Sequence, residues 1–172
     1  MTDETKAAAS GAASKKSEDK PAKEKKFNNP FSFTDPLQQK MVNCIMKCGK
    51  KTTAQKILKD TFAELFRKGQ KDPLKTFETA LANATPTLET KPKRVGGAIY
   101  QIPAEVKPKR QQTLAIRWIL AGARAKKGQP MYKRLALELT DSANETGYAF
   151  NKKEEAHKMA QANKAFAHLA RY

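Results

Sequence analysis

Between residues 35 and 86 apolar side chains return every three or four residues, and prolines and glycines cut that rhythm into short pieces. The period is that of an α-helix with one buried face, so this half of the chain is predicted to be a set of packed helices rather than a sheet. Asp35-Pro36 reads as an N-cap followed by proline at the first helical position. Leu37, Met41, Val42 and Ile45 then form one face, and Gly49 is the predicted stop. Thr52-x-x-Gln55 reads as a capping box ahead of Ile57, Leu58, Thr61, Phe62, Leu65 and Phe66, with Gly69 as the end. Asp72-Pro73 repeats the cap signal before Leu74, Phe77, Leu81 and Ala84, and Pro86 closes that stripe.

Residues 87–108 break the period. Leu88, Val95, Ile99, Tyr100, Ile102 and Val106 flank a Gly96-Gly97 pair, which predicts two extended strands around a glycine turn. Pro92, Pro103 and Pro108 are each expected to remove a ladder donor, so the strands suit an isolated, protruding hairpin and not a sheet interior. Helices then resume. The segment 114–125 carries Leu114, Ile116, Trp118, Ile119 and Leu120 and is predicted to be central. Pro130 opens a helix with Met131, Leu135, Leu139 and Ala143 on one face and Gly147 as its stop. Asn151-x-x-Glu154 opens a last helix bearing Ala156, Met159, Ala160 and Asn163, with Glu154 and Glu155 placed to complement its dipole. The predicted fold class is mainly α: a six-helix body with a β-hairpin, about residues 87–107, between the third and fourth helices.

Residues 1–26 hold seven Lys and five acids among Ala and Ser, with no apolar stripe, which predicts disorder. They make a poor organellar presequence, having no Arg and holding Asp3 and Glu4 near the start, and they lack the apolar region of a secretory signal. FNNPFSFT at 27–34 places three Phe in a loop context, suited to docking on the body or on neighbours. The expected division is therefore an extension over 1–34 and one helical domain over 35–172.

Charge decides the class of partner. The chain has 34 Lys and Arg against 17 Asp and Glu, a net +17. Leu, Ile, Val and Phe together make only about a sixth of it. A body this cationic with so little core material repels itself, and a polyanion is the natural compensation. Nucleic acid leads, and an anionic membrane surface comes second; no segment has the apolar length of a membrane span. An enzyme finds little support. No GxxxxGK[ST] loop occurs, Gly96-Gly97 opens no helix, and two histidines are a thin basis for acid–base work. Cys44 and Cys48 lie one helical turn apart, a poor disulfide geometry, and His157 and His168 are the only obvious partners for a zinc site. Reduced thiols, no metal and no cofactor are expected.

Basic residues gather in four places. KPKRVGGAIYQIPAEVKPKR, residues 91–110, holds Lys91, Lys93, Arg94, Lys107, Lys109 and Arg110 against Glu105 alone, and reversal at the glycines is expected to bring the two KPKR copies together at the hairpin base. Crowded like charges there point to phosphate between them. Arg124, Lys126, Lys127, Lys133 and Arg134 form a second cluster without an acid. Lys152, Lys153, His157, Lys158 and Lys164 form a third, in which His157 is either a phosphate donor or base-stacking group, or a plain surface histidine. Lys47, Lys50, Lys51 and Lys56 form the fourth. Four separate patches imply contacts over a wide surface. Tyr100 either stacks on an unpaired base or packs across the hairpin on Val95 or Ile102. Shape and phosphate recognition of this kind fits folded RNA better than base-specific reading of DNA.

Three stretches carry a resemblance: NCIMKCGKKTTAQKIL (43–58), KRVGGAIYQIPAEVKPKRQQTLAIRWIL (93–120) and NKKEEAHKMAQANKAFAHLARY (151–172). Through RVGGAIYQIP, KRQQTLAIRW and the HKMAQANKAFAH run, the chain from about residue 35 resembles the small-subunit ribosomal protein seven family. The resemblance implies a non-enzymatic ribosomal RNA-binding protein that binds the 3′ major domain and nucleates assembly of the head. It implies a hairpin whose tip, Arg94, Val95, Gly96, Gly97, Ala98 and Tyr100, points towards the tRNA exit site and messenger RNA. Ribosomal proteins nine and eleven are the implied neighbours. The RNA-contacting set so implied is Lys50, Lys51, Lys91, Lys93, Arg94, Lys107, Lys109, Arg110, Arg117, Arg124, Lys126, Lys127, Lys152, Lys153, His157 and Lys158. The start departs from the bacterial pattern, with FNNPFSFTDPL in place of an Arg-rich arm, and the ending HLARY replaces HYRW. DPLxxKxxNxxMKxGKK at 35–51 is similar to mitochondrial members, which implies a mitochondrial ribosome, with a bacterial source as the alternative. A free-standing RNA-binding protein or RNA chaperone is the competing class.

Overall fold

The computed structural model describes residues 35–171. The expectations for 1–34 and for the final residue lie outside the described residues. Six α-helices and one hairpin follow in order: α1 Pro36–Ile45, α2 Lys51–Arg67, α3 Pro73–Ala84, β1 Leu88–Val95, β2 Ala98–Glu105, α4 Pro108–Ala125, α5 Met131–Ala143 and α6 Gly147–Ala162. A 3-10 segment, Lys164–Arg171, follows α6 and lies against β2.

The Asp-Pro signals begin α1 and α3 where expected, with Pro36 and Pro73 at the first helical positions. A proline there gives up an N–H that has no partner in the helix anyway. Asp35 does not cap through its side chain; its carboxylate instead accepts from Gln38 Nε2 at 2.7 Å. α2 ends in a Schellman motif: Gly69 N donates to Phe66 O at 3.0 Å and Gln70 N to Leu65 O at 3.2 Å, with Gly69 at φ 90°.

Several boundaries differ from expectation. α2 starts at Lys51 with Lys50 at the cap position, so Thr52 and Gln55 lie inside the helix and form no capping box. α1 stops at Ile45, before Gly49, and the left-handed turn is shared by Cys48 and Gly49. Glu145, at φ 58°, takes the left-handed position directly after α5, and Gly147, at φ 89°, is the first residue of α6 rather than the stop of α5. α6 therefore starts one turn earlier than Asn151, and Glu154 and Glu155 lie in its middle, paired with Lys158 and Lys152. Pro108 is the first residue of α4 rather than a strand residue.

The core is the meeting of the apolar stripes. Leu58, Phe62, Leu65, Phe77, Ile116, Ile119, Leu135 and Leu139 are fully or almost fully enclosed. Phe62 and Phe77 meet edge to face, centroids 5.8 Å apart. α4 is central as expected but shares that place with α5, which packs on α2, α3, α4 and α6.

The hairpin pairs Val95 with Ala98 across a two-residue Gly96-Gly97 turn, with φ of 56° and 91°, the sign a type I′ turn requires at both positions. Counting outward from that turn, Pro92 and Pro103 fall in non-hydrogen-bonded pairs, opposite Gln101 and Thr90. Their missing N–H groups therefore cost the ladder nothing. The base is anchored: Ile102 and Val106 are buried, and Thr87 N donates to His157 Nε2 at 3.1 Å. The tip is free, with Ile99 70% exposed.

Candidate nucleic-acid interface

The two KPKR copies have different fates. Lys91, Pro92, Lys93 and Arg94 lie on β1 in the tip half, opposite Ile102, Gln101, Tyr100 and Ile99. Lys107 caps α4, and Pro108, Lys109 and Arg110 form its first turn. They do not stack as twin legs at the base. Glu89 stands between them, its carboxylate 3.3 Å from Lys91 Nζ and 3.5 Å from Arg110 Nε. The repulsion expected to require phosphate is thus partly met by a carboxylate two residues outside the basic run.

α4 organises a cationic face. Arg110, Arg117 and Arg124 are seven residues apart, so they lie along one side of the helix at intervals of about 10.5 Å. All three are exposed. Cys44, Arg117, Ala121 and Arg124 line a hollow of 400 Å³ on that side. Arg124 is held there by a hydrogen bond from Nη2 to Cys44 O of 3.1 Å, which also satisfies a carbonyl at the end of α1.

At the end of this row lies a groove of 450 Å³, where the end of α1, the start of α2, the end of α4 and the start of α5 converge. Lys47, Lys50, Arg124 and Arg134 rim it, and no carboxylate lines it. The cluster around α4–α5 and the cluster around α1–α2 are therefore one surface, not two separate patches. Lys51 and Lys127 are exposed beside it in sequence. Among the described residues Lys50, Lys51, Arg94, Lys107, Lys109, Arg117 and Lys127 have no carboxylate within 4.0 Å. A row of exposed cations without acidic neighbours is what phosphate recognition needs.

Other predicted contact residues are occupied within the protein. Lys126 Nζ lies 2.6 Å from Asp141 Oδ2 and 3.1 Å from Glu138 Oε2, the latter on a carboxylate with no exposed surface. Burial works against its charge, but those two carboxylates more than offset it and its pKa is raised. Ala149 N donates to Glu138 Oε1 at 3.1 Å, and Gly122 on α4 leaves the room that carboxylate fills. Lys153 Nζ donates to Asn83 O at 2.8 Å and lies over the Phe150 ring. Lys152 and Lys158 pair with Glu155 and Glu154 along α6.

His157 departs furthest from the sequence reading. Its Nε2 accepts the Thr87 N–H, so the proton of the neutral ring sits on Nδ1 and the side chain fastens the hairpin root to α6. Burial, with Lys153 beside it, lowers its pKa. The Tyr100 ring packs on Phe166 of the 3-10 segment, centroids 5.2 Å apart, a contact not anticipated from the sequence. Lys93 is half-buried opposite Tyr100. Met159 on α6 is 53% exposed. Glu138 was missed because its partners are distant in sequence, and Glu89 because its link to Arg110 spans 21 positions; the one local hint was Glu89 two residues before the basic run.

Among the described residues no group of His, Cys, Asp and Glu is placed to hold a metal, and no helix is long and apolar enough to cross a membrane. Cys44 and Cys48 are free thiols. The family model described as ribosomal protein S7p/S5e matches residues 12–164. The small ribosomal subunit protein uS7 of Pseudothermotoga lettingae is 55% identical over 137 residues, covering 80% of this chain and 88% of its own. The uS7 protein of Moorella thermoacetica is 54% identical over 141 residues, covering 79% of this chain and 90% of its own. That of a Roseiflexus species is 48% identical over 140 residues, covering 81% and 89%.

Proposed function

The chain belongs to the ribosomal protein S7p/S5e family, and from that premise we propose that it binds the 3′ major domain of small-subunit ribosomal RNA and nucleates assembly of the head. It is a structural constituent of the small ribosomal subunit and not an enzyme. The observation that carries the RNA reading is the cationic face that runs along α4 from Arg117 through Arg124 to the groove rimmed by Lys47 and Lys50, which no carboxylate lines. Lys50, Lys51, Arg117, Arg124 and Lys127 are the proposed phosphate contacts on it, with Lys107 and Lys109 at the hairpin end. Lys126, Lys153 and His157 act indirectly, by fixing the helices that present the others.

The hairpin tip is the proposed second site. Arg94, Gly96, Gly97, Ala98 and Ile99 are exposed there, which leaves a cation and bare backbone accessible to a partner. Exit-site tRNA and messenger RNA are the proposed partners there, and ribosomal proteins nine and eleven the proposed protein neighbours. A ribosome of bacterial type is the proposed location. The bacterial relatives support the bacterial cytoplasm, while the pattern at 35–51 supports the mitochondrial alternative.

The test is binding of the full chain to a transcript of the 3′ major domain across a salt series, paired with co-sedimentation with small subunits. Replacing Lys50, Lys51, Arg117 and Lys127 with Ala is expected to flatten the log–log salt slope by about 3, since each phosphate contact contributes about 0.7–0.9. An unchanged slope removes this face from the interface. Recovery only in free fractions supports a free-standing RNA chaperone instead.

A further inference from the structure

We propose that the groove at the convergence of the helix ends takes up one unstacked nucleotide of the bound RNA, base inward and phosphate on the cationic rim. This rests on the RNA-binding reading above. The floor of the groove is Ile45, Met46, Ala54, Ile57 and Met131, an apolar surface. Its rim carries the four cations and no acid. Phosphates on the outside of a duplex need the cations but gain nothing from an apolar hollow behind them. A splayed nucleotide uses both, because its base has an uncharged π face and its phosphate a full charge.

The volume of 450 Å³ accommodates a base with its sugar, and the walls are set before binding. Arg124 is fixed on Cys44 O, and Arg134 Nη1 donates to Lys126 O at 2.6 Å, leaving Arg134 Nε with no acceptor among the described residues. Guanidinium groups already ordered lose little freedom on binding. α2 adds to the field: it begins beside the groove with no side-chain cap and no acid in its first turn, so its positive dipole end is unopposed. No aromatic residue lines the groove. Recognition is therefore by contact with Ile and Met side chains and the arginine planes, tolerant of base identity.

Ile57→Lys separates this from simple charge attraction. The residue is half-buried on α2, and lysine is a good helix former. The variant adds a positive charge while removing the apolar floor. A base in the groove predicts RNA affinity about tenfold weaker, because the base loses its apolar contact with the Ile57 side chain and meets a hydrated ammonium instead. Equal or tighter binding by a variant with wild-type circular dichroism overturns the proposal and leaves the RNA-binding reading standing. A wild-type chain that fails to bind the transcript overturns both. A photo-crosslinking residue in place of Thr53 supplies the second measurement on the same transcript. Crosslinks concentrated on one unpaired nucleotide support the site; crosslinks spread over paired nucleotides overturn it. Adenosine monophosphate titrated alone covers the free-nucleotide case: its saturation of the groove, with RNA affinity unaltered by Ile57→Lys, also overturns the proposal.

Discussion

Glu138 shows how one residue fixes a surface it never touches. Its carboxylate is enclosed between α4 and α6, held by Lys126 and the Ala149 N–H, and a Cβ on Gly122 would come within 2.6 Å of it. Gly122→Ala is expected to destabilise the protein by about 2 kcal/mol, as overpacking against a fixed group does. Glu138→Ala is expected to cost about 2 kcal/mol, since it leaves the buried Ala149 N–H without its acceptor while Lys126 keeps Asp141. The double variant should cost less than the sum, because the second change removes what the first collides with. Equilibrium urea unfolding of the four proteins measures this, and strict additivity would show that the two residues do not meet. Two titrations follow from the same contacts. His157 has a lowered folded pKa, so the unfolded chain binds its proton first: stability is undiminished above about pH 6.5 and falls below it, until the folded ring is also protonated. His157→Gln should shallow that decline in a pH series of unfolding free energies. Lys126 has the opposite sign: its raised pKa contributes below 10.5, and the contribution is lost as pH rises through the folded value. The sequence made the residue types visible but not these roles. Thr87 and His157 are 70 positions apart, and nothing local in either announces the bond.

At the scale of elements, the starts of α1 and α3 and the hairpin turn were legible because their causes are local. A proline at the first helical position and a Gly-Gly pair with two positive φ angles need no distant partner. The start of α6 and the fate of the second KPKR were not, because tertiary packing chose among several compatible boundaries. Lys-Pro can extend a strand or open a helix, and here Pro108 opens α4. The cationic face was legible as charge and illegible as geometry: Arg110, Arg117 and Arg124 become one row only once that helix is seen to start at Pro108. The hairpin is likewise less free than a bare appendage, since Tyr100 leans on Phe166. Tyr100→Ala is expected to raise amide exchange in the 3-10 segment while leaving the six helices protected, at a cost of about 1 kcal/mol for the lost ring contact. Hydrogen exchange read by mass spectrometry tests it; unchanged exchange there would mean that the ring contact carries none of the segment's order.

At the scale of the whole molecule the net charge and the contact pattern disagree. The chain carries +17, yet only eight ion pairs form among the described residues, several of them between neighbours on one helix and well exposed. Exposed pairs of that kind contribute little. The excess cations repel one another across a small body whose apolar content is low, so the free protein is held below the stability its core alone would give. Screening at about 0.1 M salt has a Debye length near 10 Å, short enough to relieve repulsion between patches and too long to undo the close pairs. Raising potassium chloride is therefore expected to increase the melting temperature of the free chain by several degrees, on the order of 1 kcal/mol. The same salt weakens RNA binding, because released counterions then re-enter a more concentrated solution. Salt should thus act with opposite sign on the fold and on the complex, and RNA at low salt should stabilise more than salt does without RNA. Thermal melts of the free and RNA-bound protein over one salt series test both signs. A melting temperature of the free chain that falls with salt would mean that its few ion pairs outweigh its net charge.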